Sequence, residues 1–180
     1  MNDYNQKLLE WSEQFNTYHL PRWDELPAIE YYMDQVIEYI NSYVKIFSDD
    51  GNSNLLTAAM INNYVKLGLI PAPVKKKYSK IHISNLIVIT IIKQVCVISQ
   101  IKEAILLQMK SNGGRGAYNI FCAEIEKSVI SISSIVKNGR IYVDEPVALD
   151  NMAVKNISQA LSSKILAIKV IELLKKTEEN

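Results

Sequence analysis

Hydrophobic residues recur at helical spacing in the first third of the chain. The repeat consists of Ile29, Met33, Val36, Ile37, Ile40 and Val44. These positions share one side of a helix with 3.6 residues per turn. Pro27 suits a first helical turn, where Asp24 and Glu25 would lie at the positive end of the helix dipole. The spacing therefore predicts a linker followed by a helix from Pro27 to Val44.

The next predicted helix is short and carries its own start and stop signals. Thr57 is a good N-cap, because its hydroxyl can accept a hydrogen bond from an early backbone N–H. The apolar stripe comprises Ile61, Tyr64 and Val65. Gly68 can close the helix in a Schellman motif, and Pro71 prevents the helix from continuing. These signals predict a helix over residues 57–67.

Two further apolar segments follow a lysine-rich stretch. Around Pro73, the alternation of Val74, Tyr78 and Ile81 favours a β-ribbon or an extended loop. The segment "SNLIVITIIKQVCVI" is rich in β-branched residues but long for a strand, so we expect a helix buried on most sides, starting at Ser84. A fourth helix would begin at a second cap, Ser99.

The C-terminal part predicts two long amphipathic helices. The glycines of "KSNGGRGAY" indicate a linker or tight turn. Beyond it, heptad-like spacing relates Tyr118, Cys122, Ile125, Val129, Ile132 and Val136. A last helix from Asp150 to Lys176 has the stripe Val154, Ile157, Leu161, Ile165 and Ile168. The seam of this predicted helical hairpin needs either the N-terminal domain or a second copy of the chain to cover it.

The predicted elements add up to a mainly α fold, and composition adds few constraints to this prediction. No secretory signal or membrane-spanning run is evident, so we expect a soluble cytoplasmic protein without membrane contact. Cys96 and Cys122 lie among apolar residues, which favours inert thiols over a redox-sensing pair. No catalytic constellation, metal-ligand cluster or cofactor fingerprint accompanies His19 and His82, so we expect neither an enzyme nor a cofactor.

Charge is distributed very unevenly along a chain of net charge +1. Residues 1–50 carry ten acids and three bases, whereas residues 51–102 carry seven lysines and no acid. A clustered basic segment attracts polyanions. The alternative is that the acidic first segment folds against the basic one.

The face of the 57–67 helix opposite its apolar stripe suits double-stranded DNA. Small residues there allow close approach, an asparagine amide can pair with the edge of adenine, and lysine reaches phosphate. The predicted DNA-contacting residues are Ala58, Ala59, Asn62, Asn63, Lys66, Lys75, Lys76, Lys77, Tyr78 and Lys80. Ordinary solvent exposure is the alternative for the helix face.

The order of elements resembles the MerR-type winged helix-turn-helix. The matching positions are Thr57, Ile61, Tyr64, Gly68, Leu69, Ile70, Lys76, Tyr78 and Ser99 through Ile105. The chain departs from that pattern at Asn62 and Asn63, where the family has Arg-Tyr, and at the glycine-free wing. The motifs "LPRWDELPAIEYYMDQVI", "MINNYVKLGLIPAPVKKKY" and "HISNLIVITIIKQV" are similar to the bacterial family catalogued as domain of unknown function (DUF) 1836.

The MerR resemblance implies a DNA-binding transcriptional regulator. We expect an acidic segment over residues 1–22, a winged helix-turn-helix domain over 23–110, and a C-terminal dimerisation or effector region over 117–177. A homodimer would present two recognition helices to two half-sites. Two alternatives are a winged helix that docks a protein instead of DNA, and a sensor of an unknown small-molecule effector. In the sensor, Tyr118, Phe121 and Tyr142 would line an apolar pocket.

Overall fold

A computed structural model gives the fold of the protein and describes residues 3–48, 53–139 and 147–178. The elements are α1 (Asp3–Glu13), β1 (Tyr31–Tyr32), α2 (Met33–Val44), α3 (Ala58–Lys66), β2 (Lys77–Tyr78), α4 (Lys80–Ile92), α5 (Ile98–Asn138) and α6 (Met152–Glu178), with short 3-10 helices at Lys45–Phe47 and Leu149–Asn151. The predicted mainly α fold is confirmed. Among these described helices, none combines the length and the apolar character needed to cross a bilayer.

The chain forms two compact units. One is Leu20–Cys122, and the other combines Met1–His19 with Ala123–Asn180. The division falls inside α5, and the acidic N-terminal residues lie in the same unit as the C-terminal helices. The regions 1–22, 23–110 and 117–177 remain predictions.

The core of the first unit is built around α4, which packs against α2. Five of its aliphatic side chains are fully buried: Ile83, Leu86, Ile87, Ile89 and Ile91. The predicted burial of this helix on most sides is confirmed. Its predicted start at Ser84 is wrong, because the N-cap is Ser79, whose backbone N–H donates to His82 Nδ1 at 3.0 Å.

Helix α2 begins later than its apolar spacing predicts. It starts at Met33 rather than Pro27, and Ile29 is 71% exposed instead of facing the core. The residues just before the helix form β1, in which Tyr31 pairs with Tyr78 and Tyr32 with Lys77 of antiparallel β2. Strand pairing at Tyr31 and Tyr32 thus replaces the first helical turn that the spacing predicts.

The second unit contains α1, the end of α5 and α6. Leu8, Phe15, Ile125, Val129, Ile132, Val154 and Leu161 are buried in its core. Glu13 pairs with Lys137 at 3.5 Å, and His19 Nδ1 lies 3.1 Å from Glu126. The predicted seam of α5 is therefore covered within its own chain, so its apolar character does not require a second copy. The helical hairpin itself stays a prediction.

The linker or tight turn predicted at "KSNGGRGAY" takes the form of a kink, at which two helical segments of α5 meet. Gly113 has φ 66° and ψ 167°, a conformation open essentially to glycine alone. The helix resumes at once, and Arg115 pairs with Asp24 at 2.5 Å while Tyr118 Oη donates to Pro21 O at 2.9 Å. These contacts hold the segment after the kink against residues 21–24.

Candidate nucleic-acid interface

Helix α3 is closed at both ends by its own sequence, as predicted. The Thr57 hydroxyl accepts from the Met60 N–H at 3.3 Å. At the other end, Gly68 adopts φ 65°, its N–H donates to Val65 O at 3.0 Å, and the Leu69 N–H donates to Tyr64 O at 2.9 Å. This pair of bonds is the Schellman motif. Both ends of this nine-residue helix are thereby capped by residues that adjoin it in sequence.

The two faces of α3 divide cleanly between core and solvent. Ile61 and Tyr64 are buried, and burial raises the pKa of the Tyr64 phenol. The exposed residues include all five that were predicted to face DNA: Ala58, Ala59, Asn62, Asn63 and Lys66. These five residues are small or polar, with a single cation at the C-terminal end, and Met60 and Leu67 are also exposed.

A buried amide from α2 fixes the chain where it enters α3. Asn41 is 5% exposed, and its Oδ1 accepts from the N–H groups of both Leu55 and Leu56 at 3.0 Å. Its Nδ2 donates to Leu56 O at 2.9 Å. Sequence reasoning missed Asn41, although an amide inside the apolar stripe of α2 was the available signal.

Lys93 also contacts the residues at the start of α3 and is partly buried there. Its ammonium donates to Leu55 O and lies 3.2 Å from Met60 Sδ. Burial lowers the pKa of Lys93. Lys93 therefore helps to hold α3 in place, although it is one of the seven lysines of residues 51–102.

The lysine-rich stretch forms a tight hairpin. Val74 pairs with Lys77, whose N–H donates to Val74 O at 2.9 Å. Lys75 and Lys76 occupy the two turn positions with φ 50° and 63°. Both side chains are exposed. A turn with two positive φ values is normally built from Asn and Gly, so these two lysines hold a strained tip.

Aromatic rings, not carboxylates, lie beside the next two lysines. Lys77 Nζ is 5.7 Å from the centre of the Tyr32 ring, and Lys80 Nζ is 5.9 Å from that of Trp23. A ring face attracts a cation and leaves its charge uncompensated. Tyr32 and Trp23 were not foreseen as neighbours of these lysines, since neither is near them in sequence.

Two residues of the predicted ribbon are buried instead of exposed. Tyr78 is 2% exposed, and burial raises the pKa of its phenol. We therefore withdraw Tyr78 from the phosphate-contacting set. His82 is 6% exposed on α4 with its ring edge-on to Tyr78, so it is buried beside the end of the hairpin. The hairpin ends sooner than the alternation suggested, and α4 takes over at Lys80.

Lys102 lies near the C-terminal end of α3. Lys102 of α5 is exposed, and its Nζ lies 3.8 Å from the position that a Cβ on Gly68 would occupy. It is thus close to the C-terminal end of α3, where a cation suits the helix dipole. None of the seven lysines of residues 51–102 has an ion pair within the part of the chain that the structure describes.

The described residues do not form the apolar effector pocket of the sensor alternative. Tyr118 and Phe121 are buried, and the Tyr118 hydroxyl is engaged by Pro21 O. Tyr142 lies outside the described residues. No group of three or more potential metal-binding side chains occurs within residues 3–48, 53–139 and 147–178. Cys122 is buried and Cys96 half-buried, and burial raises the pKa of the Cys96 thiol.

Fold and site together define a mainly helical protein in which a short, doubly capped helix is followed along the chain by a lysine-rich hairpin whose lysines have no ion pair in the described residues. The profile of the family described as a domain of unknown function, DUF1836, matches residues 21–121. The chain belongs to this family. No curated protein and no solved structure matches the chain.

Proposed function

We propose that this chain is a DNA-binding transcriptional regulator with a MerR-like winged helix-turn-helix, in which α3 enters the major groove. The exposed, polar face of α3 carries the proposal. Ile61 and Tyr64 fix the helix to the core, which leaves Asn62 and Asn63 free to read base edges. Ala58 and Ala59 at the start of the helix permit close approach to the groove.

The wing of this motif is the hairpin at residues 74–77. Its tip presents Lys75 and Lys76, while Lys77 and Lys80 lie beside aromatic rings. These lysines, with Lys66, are suited to phosphate contacts, which position a protein on the duplex without reading its sequence. A strained tip made of two lysines is consistent with a role for their charge, because a Gly-containing turn would fold more easily.

The electrostatic part of binding has a calculable signature. Five lysines per chain, counting Lys66, Lys75, Lys76, Lys77 and Lys80, give up to about ten phosphate contacts in a homodimer. The logarithm of affinity should then fall with the logarithm of salt concentration with a slope of about −0.9 per contact. The homodimer and the cytoplasmic location are parts of the same proposal.

The test begins with selection of bound fragments from random double-stranded DNA by the purified protein. Affinity for the selected sequence is then measured across salt concentrations. Changing Lys75, Lys76 and Lys77 together to alanine should weaken binding to all sequences alike and flatten the slope by about 3 per chain. Asn62→Ala should instead reduce the preference for the selected sequence by about 1–3 kcal/mol.

Lys45→Ala is the control, because Lys45 is also an exposed lysine but lies outside residues 51–102. It should leave both affinity and slope unchanged. Failure to retain any DNA at low salt, or a flat salt response, would overturn the proposal. Binding of an acidic protein without DNA retention would favour the protein-docking alternative. An unchanged sequence preference in Asn62→Ala would remove that residue from base readout.

A further inference from the structure

The exposed face of α3 repeats the same two residue types in two rows. Ala58 lies four residues before Asn62, which places a methyl group one helical turn ahead of an amide. Ala59 and Asn63 form a second row with the same spacing. All four side chains are exposed, and neither asparagine amide has a hydrogen-bond partner within the described part of the chain. Both rows therefore present methyl groups and unused amide donors and acceptors to solvent.

The residue types that α3 lacks narrow what this face can recognise. In the major groove, guanine is read chiefly by arginine or lysine, cytosine by a carboxylate, adenine by asparagine or glutamine, and the methyl group of thymine by an apolar contact. Helix α3 contains no arginine and no acidic residue, and its one lysine, Lys66, lies in the last turn. Base edges are contacted mainly by the N-terminal residues of a recognition helix. That part of α3 thus carries the partners of adenine and thymine and lacks those of guanine and cytosine.

The start of α3 is held in place, as direct base readout requires. The Asn41 amide bonds the backbone of Leu55 and Leu56, and the Thr57 hydroxyl caps the first turn. Lys93 donates to Leu55 O from another helix of the same unit. The exposed alanines and asparagines therefore project from a helix whose N-terminal end is fixed by side chains that do not face solvent with them.

We propose that α3 reads A·T base pairs, with its asparagine amides on adenine and its alanine methyl groups on the methyl group of thymine. This inference rests on the proposed function and adds the base composition of the DNA site. Residues four apart are separated by about 6 Å along a helix, which corresponds to about two base-pair steps. Each half-site should therefore contain at least two A·T pairs within about two steps of each other.

Two base analogues test this assignment atom by atom. The probe is the duplex that the purified full chain selects from random DNA, with affinity measured at one fixed salt concentration. Replacing adenine by 7-deazaadenine removes the N7 acceptor and should weaken binding about tenfold at each adenine that is read. Replacing thymidine by deoxyuridine removes only the methyl group and should weaken binding about fourfold at each thymine that is read. The same replacements outside the half-sites should leave affinity unchanged.

Variants of the chain assign each effect to a residue. In Asn63→Ala, 7-deazaadenine should cease to matter at one position of each half-site, because the amide that contacts N7 is gone. In Ala59→Gly, deoxyuridine should cease to matter at one thymine. The control is the variant with Lys75, Lys76 and Lys77 changed to alanine. It should bind more weakly, yet both analogues should reduce its affinity by the same factors as in the original chain.

A preference for A·T pairs also arises when a protein reads a narrow minor groove. Both analogues leave the minor-groove edge of the base pair unchanged. An A·T-rich site whose affinity does not respond to them therefore overturns the inference. So do G·C pairs at the positions that α3 reads, or selection that yields no preferred sequence, while salt-dependent DNA binding still supports the proposed function. A chain that retains no DNA at low salt overturns both proposals together.

Discussion

Asn41 offers a direct measure of how firmly α3 is held. Changing it to leucine keeps the number and the branching of the side-chain heavy atoms, so no cavity forms. The change removes three hydrogen bonds at once: those from the N–H groups of Leu55 and Leu56, and the one to Leu56 O. The backbone groups at Leu56 are buried, whereas those at Leu55 are partly accessible to water.

The magnitude follows from this difference in burial. A buried backbone group that loses its partner costs about 1–3 kcal/mol, and a group that water can reach costs less. Two buried groups at Leu56 and one accessible N–H at Leu55 together give about 3 kcal/mol of lost stability. This is a large share of the stability of a typical domain, about 5–15 kcal/mol.

Urea unfolding with a shared m-value measures the loss, and amide hydrogen exchange locates it. In Asn41→Leu, the amides of Leu55 and Leu56 should lose protection before the helices of the unit do. Ser42→Ala is the control, because the Ser42 hydroxyl is exposed and bonds only to Tyr39 O of its own helix. Its effect should stay within about 0.5 kcal/mol. If Asn41→Leu were equally mild and both amides stayed protected, the assigned role of Asn41 would be wrong.

Three further changes probe backbone strain and burial. Replacing Lys75 by Asn and Lys76 by Gly should raise stability by about 1–2 kcal/mol, because both positions have positive φ; a lower urea midpoint would contradict this. Gly113→Ala should cost about 1–3 kcal/mol from the backbone alone, since no atom lies within 4 Å of the added Cβ, and a neutral result in the same assay would refute it. Burial lowers the folded-state pKa of Lys93 below 10.5, so the unfolded state binds more protons between the two values. Stability of the original chain relative to Lys93→Met should therefore rise with pH toward 10.5, and a constant difference in urea stability would count against the assignment.

Local signals in the sequence were sufficient for α3 and for the burial of α4. A threonine cap, an apolar stripe and a glycine in left-handed conformation act within a few residues, so no tertiary information was needed to place the ends of α3. The burial of α4 on most sides follows from the high apolar content of its sequence. The exposed face of α3 then came from the same periodicity.

Long-range pairing was beyond the reach of the same reasoning. The start of α2 was misplaced because β1 pairs with a strand some forty-five residues later, and this partner overrides the helical spacing of Ile29. The prediction places Tyr78 at the surface. Alternation of apolar and polar residues gives the period of a strand, but it does not tell which face of the strand packs against the core. The glycine-rich segment indicates a break in the helix but not its form, because a linker, a tight turn and a kink have the same local chemistry.

The residues that fix α3 in the fold are different from the residues on its exposed face. Thr57, Gly68, Asn41 and Lys93 fix its ends through backbone groups, while Asn62 and Asn63 have no such task in the described structure. Substitutions of the first set should therefore change stability, and substitutions of the second should leave stability unchanged. If Asn62→Ala and Asn63→Ala unfolded the unit as Asn41→Leu does, the exposed face of α3 would be part of the fold. It would then no longer be free to contact DNA.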